Sequence, residues 1–205
     1  MPITAALFDF GGVLSTSPFD AFARYEAEHG LPHGFLRSVN ATDPDTNAWA
    51  RLERSEVDVD GFALAFEEES AALGHRVPGW DVLGLLAGDI RPEMVEAVRR
   101  CGEHLKTALL TNNVVGMGAD RHVADVVALF DVVVESSVVG LRKPDVAFYE
   151  LACERLGIDA SEAVFLDDLG VNLKPARALG MTTIKVTDPE LALAELEAVV
   201  GFPLR

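Results

Sequence analysis

Asp9 follows an apolar run from Ile3 to Phe8 and is followed within three residues by two glycines, Gly11 and Gly12. A carboxylate at the end of a buried strand stands where open α/β sheets bind their ligands. Glycines just beyond it let the backbone turn sharply and approach a bound group with no Cβ in the way. Such an aspartate can act as a nucleophile; read alone, it can equally make an ordinary turn hydrogen bond. Three other segments place reactive groups in the same kind of position. Thr111-Asn112-Asn113 closes the apolar run of residues 108–110, and its hydroxyl and amide groups suit either phosphoryl oxygens or a helix N-cap. Gly140-Leu141-Arg142-Lys143-Pro144-Asp145 offers the positive charge of Lys143 in a turn whose Asp145 caps the next helix. Asp167 and Asp168 adjoin after the apolar residues 163–166, with Asn172 shortly beyond. Neighbouring carboxylates repel, so the pair calls for a divalent cation, or for an N-cap with one solvated neighbour. Together these groups meet the needs of phosphoryl transfer: an in-line nucleophile, donors and a cation for the equatorial oxygens, and acids for a metal. Carboxylate attack would form an aspartyl-phosphate and divide hydrolysis into two easier steps.

Positioning these residues requires a sheet, and strand-like and helix-like segments do alternate along the chain, as parallel strands with crossover helices require. The patterning predicts strands over 3–9, 106–111, 130–135, 163–167 and 182–186, and helices over 92–103, 121–129, 145–156, 172–179 and 189–200. The interval between the first two strands is too long for a simple crossover. Its apolar spacing is helical instead, through Phe19, Phe22 and Tyr25, then Trp49 and Leu52, then Phe62, Leu64 and Phe66. A helical bundle inserted after the first strand is therefore expected, with its aromatic residues as core. It is entered through Ser15-Thr16-Ser17-Pro18 and left through Gly88-Asp89-Ile90-Arg91-Pro92, joints suited to hinges.

Composition narrows the function classes. The chain has 205 residues, 49% hydrophobic and 24% charged, an ordinary globular balance. A net charge of −16, from 17 basic and 33 acidic residues, argues against a broad nucleic-acid surface and against anionic membranes. No apolar run approaches the roughly 18 residues of a membrane span, and no basic leader precedes Asp9, so a cytoplasmic protein is expected. Cys101 and Cys153 lie in helix-like segments and read as reduced thiols. His29, His33, His75, His104 and His122 fall outside the motifs and read as surface or packing residues.

The four segments, in this order, resemble the haloacid dehalogenase superfamily. The likeness is strongest over residues 135–181, where Gly140-Leu141-Arg142-Lys143-Pro144 and Phe165-Leu166-Asp167-Asp168-Leu169-Gly170-Val171-Asn172-Leu173-Lys174-Pro175-Ala176-Arg177 are similar to the branch containing the N-terminal phosphatase-like domains of soluble epoxide hydrolases. Trp49-Ala50-Arg51-Leu52-Glu53-Arg54 is similar to it as well. The resemblance implies an α/β fold, with a Rossmann-like three-layer core and parallel sheet from residues 1–15 and 89–205 and an inserted α-helical cap over 16–88. It implies a Mg2+-dependent phosphatase in which Asp9 is the nucleophile, Thr111 and Asn112 bind the phosphoryl group, and Lys143 neutralises charge. Asp9, Asp168 and the Gly11 carbonyl would hold the metal, with Asp167 and Asn172 in support. The expected partner is a small phosphorylated molecule, with no nucleic acid or membrane; a homodimer is plausible.

Position 11 departs from the phosphatase pattern. There the family carries a second carboxylate that protonates the leaving group and activates water, and this chain has glycine. General acid and base catalysis contributes about 10²- to 10⁴-fold, so slow turnover is expected unless a cap residue such as Asp20, Glu53 or Glu56 supplies the acid. Two alternatives follow. One is a 2-haloacid dehalogenase, a group that also lacks this carboxylate but needs no metal and carries small polar residues in place of Asp167-Asp168. The other is a weak phosphate-binding or regulatory module.

Overall fold

The computed structural model describes residues 2–115 and 121–205. Its sheet has strands Ala5–Phe8 (β1), Lys106–Thr111 (β2), Val132–Glu135 (β3), Ala163–Asp167 (β4) and Thr182–Lys185 (β5), all parallel, in the order β3-β2-β1-β4-β5. Between β1 and β2 lie helices α1 (Pro18–Glu28), α2 (Phe35–Ala41), α3 (Ala48–Glu53), α4 (Val59–Ala72), α5 (Gly79–Gly84) and α6 (Pro92–Gly102). The chain continues through α7 (Arg121–Val127), α8 (Ser136–Val139), α9 (Val146–Leu156), α10 (Gly170–Ala178) and α11 (Pro189–Val200). No described helix is long and apolar enough to cross a membrane.

Every residue of β1 is buried, because the strand is central and covered on both faces. Ala6 and Phe8 pack with residues of α6, α7 and α11. Ala5 and Leu7 face the opposite layer, among residues of α9 and α10. This is why the strand reads as a continuous apolar run. Its hydrogen bonding continues past both ends, from Thr4 N to Glu162 O at 2.8 Å and from Asp9 N to Leu166 O at 2.9 Å, so the predicted span of 3–9 is wider than the strand proper. The register sets Phe8 level with Leu109 and Leu166. The carboxyl ends of β1, β2 and β4 therefore come together where the strand order reverses, the usual ligand crevice of such sheets.

Helices α1–α5 enclose an apolar cluster of their own, to which Phe22, Trp49, Phe62 and Phe66 contribute. Trp49 and Phe62 rings lie 4.7 Å apart between centroids, and those of Phe62 and Phe66 5.5 Å. These aromatic residues fill a core, as expected. Leu64 corrects the stripe: two residues on from Phe62 is about 200° around a helix, and the residue is 69% exposed. Glu26, buried at the end of α1, accepts from Gly34 N at 2.7 Å and Leu36 N at 2.9 Å, satisfying donors at the start of α2 that lack helical partners. The two connections to the sheet pair with each other: Ser15 bridges Ile90, Thr16 N donates to Asp89 O at 2.9 Å, and Arg91 N donates to Leu14 O at 2.8 Å.

Candidate active site at the carboxyl edge of the sheet

Beyond β1 the backbone winds through Phe10–Leu14, broken at Gly11 (φ −67°, ψ 130°) and Gly12 (φ 74°, ψ −10°). Gly12 is required twice over. Its positive φ is costly for residues with a Cβ, and a Cβ there would collide with the Asp168 carboxylate. A Cβ on Gly11, by contrast, would meet nothing within 4 Å. Arg91, from the returning connection, donates from Nη1 to Gly12 O at 2.6 Å and so steadies the turn. Asp9 Oδ1 accepts from Phe10 N at 2.7 Å.

Lys143 brings the motifs together. Its side chain is 1% exposed, with Nζ 2.7 Å from Asp9 Oδ1 and 2.8 Å from Asp167 Oδ2. Burial by itself favours the neutral amine, but the flanking Asp167 and Asp9 carboxylates outweigh it and hold Lys143 above its usual pKa. Asp167 is fully buried and heavily bonded: Oδ1 accepts from Leu169 N at 2.8 Å, and both oxygens accept from Asn172 Nδ2, at 3.1 and 3.0 Å. Asn172 is itself steadied by Tyr149, whose hydroxyl donates to Asn172 O at 2.7 Å. Asp168 is held more loosely, by a 3.4 Å hydrogen bond from Ser17 Oγ to Oδ2. Burial, reinforced by Asp167, pushes the Asp168 carboxyl up to about 6. Burial also holds Asp9 well above the usual carboxylate range, against the opposing pull of Lys143.

One oxygen from each of Asp9, Asp167 and Asp168 lies within 4.8 Å of the others. Three carboxylates around a single ammonium leave a surplus of negative charge in a buried place, and their hard oxygen donors suit Mg2+ or a similar cation. Among the described residues, Thr111 at the end of β2 makes no hydrogen bond through its hydroxyl, whereas the Asn112 amide is engaged. Asn112 Oδ1 accepts from Lys143 N at 2.8 Å, and Nδ2 donates to Lys143 O at 3.0 Å and to Glu53 Oε2 at 3.2 Å. The two residues thus stand together at the site, one with a free hydroxyl and the other bracing Lys143. Among the described residues, neither side chain makes a helix-capping hydrogen bond. Asp145 occupies the N-cap position of α9 but makes no capping hydrogen bond through its side chain, contrary to expectation.

Several residues at this edge carry no motif signal. Ser17, Arg91 and Tyr149 act through contacts made only on folding, although Ser17 and Arg91 do fall within the two predicted joints. Arg142 adjoins Lys143 in sequence, and its partner is Glu53, with Nε 2.6 Å from Oε2. Cys101 and Cys153 are free and buried. His29 stacks on Tyr25 at 3.9 Å and His104 lies 4.6 Å from Phe202, packing roles as expected. A groove of about 760 Å³ at the opposite, amino edge of the sheet, lined by Thr4, His104, Lys106 and Arg155 among others, contains none of the clustered acids.

Comparison with known proteins agrees with this geometry. Mouse acyl-CoA dehydrogenase family member 10 is 37% identical over 98% of the chain, which covers 19% of that protein. Pig bifunctional epoxide hydrolase 2 is 33% identical over the whole chain, here covering 40% of its relative. The chain thus spans well under half of these two proteins. Phosphatase MT3486 of Mycobacterium tuberculosis is 31% identical, with 88% of this chain and 86% of that one covered. Among solved structures, an enzyme of the same fold from Bacteroides thetaiotaomicron, in complex with magnesium and inorganic phosphate, superposes with a TM-score of 0.60 at 19% identity over 89% of this chain and 93% of its own. A family model matches residues 3–180, which hold four of the five strands and all of the sheet's acidic edge, and by that match and these relatives the chain belongs to the haloacid dehalogenase-like hydrolases.

Proposed function

We propose that this hydrolase is a Mg2+-dependent phosphatase of small phosphomonoesters, slowed by glycine at position 11. Residues 1–15 and 89–205 form its catalytic core, and helices within 16–88 form a cap. The observation that carries the reading is the cluster of Asp9, Asp167 and Asp168 around Lys143. Asp9, Asp168 and the Gly11 carbonyl would hold the metal, with Asp167 and Asn172 as support. When bound, Mg2+ would offset the surplus negative charge and polarise a phosphoryl oxygen. Thr111 and Lys143 receive the remaining phosphoryl oxygens, while the Asn112 amide, expected from sequence to bind them too, is committed to Lys143 and Glu53 and braces Lys143 instead. An Asp9 oxygen forms the new bond to phosphorus as the bond to the leaving oxygen breaks and that oxygen takes the electron pair; water then hydrolyses the acyl phosphate. Gly11 supplies no proton to the departing oxygen, so good leaving groups are favoured. The relative named as a phosphatase, similar along most of both chains, supports the same reading.

Phosphate release from a panel of phosphomonoesters, with and without Mg2+, tests it. Metal-dependent release is expected, and Asp9→Asn should lower it by about 10³-fold or more. Unchanged release by that variant rejects the nucleophile. Gly11 also favours a second reading, 2-haloacid dehalogenation, which chloride release from 2-haloacids without metal would reveal in the same experiment.

A further inference from the structure

Glu53 ends α3, at the junction of the helical unit with the sheet edge. Its Oε2 accepts from Arg142 Nε at 2.6 Å and from Asn112 Nδ2 at 3.2 Å. Both donors flank the candidate chemistry, since Arg142 precedes Lys143 and Asn112 follows Thr111. Asn112 braces the Lys143 backbone at its N–H and its carbonyl, and Lys143 Nζ reaches Asp9. A continuous path therefore runs from the helical unit to the candidate nucleophile, by hydrogen bonds from Glu53 through Asn112 to the Lys143 backbone and then along the Lys143 side chain to Asp9. Two other links span the junction: Arg142 Nη1 to Pro44 O at 2.9 Å, and Ser55 Oγ to Ser137 O at 2.8 Å.

The need for such a brace is physical. Lys143 sits in a loop, and loops hold side chains less accurately than strands or helices do. A misplacement of about 1 Å at a reacting centre costs on the order of 10²-fold in rate. The Glu53 and Arg142 side chains are only 16% and 15% exposed, so removing either leaves its partner poorly solvated, and the pair is favoured while both are present. Resting on the phosphoryl-transfer reading of the site, we propose that Glu53 is a positioning residue: its carboxylate, shared by Asn112 and Arg142, locks the Lys143 loop to α3, so that Lys143 meets Asp9 only while the helical unit is seated on the sheet edge.

Two measurements on the full chain test this, comparing wild type with Glu53→Gln and Glu53→Ala. The first is hydrolysis of p-nitrophenyl phosphate with Mg2+. The second is acetylation of each lysine in metal-free protein, followed by mass spectrometry. Glu53→Ala is expected to lower kcat by about 10- to 100-fold while changing KM by less than about threefold. It should also speed acetylation of Lys143 by roughly tenfold, with Lys106, Lys174 and Lys185 unaltered. Glu53→Gln retains an acceptor for Asn112 and should fall between wild type and Glu53→Ala in both readouts; it carries the test if the alanine variant does not fold. An inactive wild type rejects the reading of the site, while the acetylation pattern still decides the role of Glu53. Unchanged Lys143 labelling in a folded variant overturns the proposal. So does a glutamine variant as inactive as the alanine one with Lys143 still protected, because proton transfer by Glu53 would then explain the loss.

Discussion

At the scale of single residues, two adjacent glycines have opposite constraints. Gly12 combines a positive φ with the Asp168 side chain directly against it, so no other residue fits without moving an acid of the cluster. Gly11 has an ordinary φ and open space where a side chain would lie. Its lack of a carboxylate is thus a chemical difference rather than a steric necessity. Gly11→Asp is accordingly expected to fold and to raise phosphatase kcat by about 10²-fold for substrates with poor leaving groups, with a smaller gain for p-nitrophenyl phosphate. Equal kcat in variant and wild type across such a series would place the proton donor elsewhere. Asp9, Lys143, Thr111, Asp167, Asp168 and Asn172 were all legible as candidates from type and position after apolar runs. The different circumstances of the two adjacent acids were not: one is saturated by Leu169 and Asn172 from the turn just after it and by Lys143 from a more distant loop, and the other is left largely open, with only Ser17 as a side-chain partner among the described residues.

At the scale of elements, β2 and β4 coincide with their predicted ranges, because short buried strands bounded by polar residues carry clear signals at both ends. Helix α10 starts at Gly170 rather than 172, which places Asn172 in its first turn, where it can reach back to Asp167. The helical unit was legible as helical, but a stripe through Phe62, Leu64 and Phe66 joins residues on opposite faces. That geometry predicts contrasting stabilities. Phe62→Ala should destabilise by ~3–5 kcal/mol, whereas Leu64→Ala should change stability by less than about 0.5 kcal/mol. Guanidinium unfolding midpoints measure both, and similar losses for the two variants would contradict the assigned faces.

Across the whole molecule, a parallel sheet brings acids from opposite ends of the chain into one buried cluster, and the charge left over makes metal and fold interdependent. Mg2+ should raise the melting temperature, since a ligand that binds only the folded state stabilises it, and EDTA should reverse the rise. Protons compete for the same oxygens. With the Asp168 carboxyl pushed up to about 6, the Mg2+-induced rise should be full above that pH and shrink as pH falls through it. Calorimetry from pH 8 to about 5 checks this, and a metal effect independent of pH would mean that Asp168 is not a ligand. Sequence alone determined the alternation of strands and helices, the insertion after β1 and the residue types at each strand end, because burial periodicity and turn chemistry are local properties. The tertiary structure decided what those residues do together: Lys143 between Asp9 and Asp167, Asn112 bracing the Lys143 loop, and Glu53 reaching Asn112 and Arg142 across 59 and 89 residues. Contacts at such separations follow from strand order and helix packing, which no local pattern encodes.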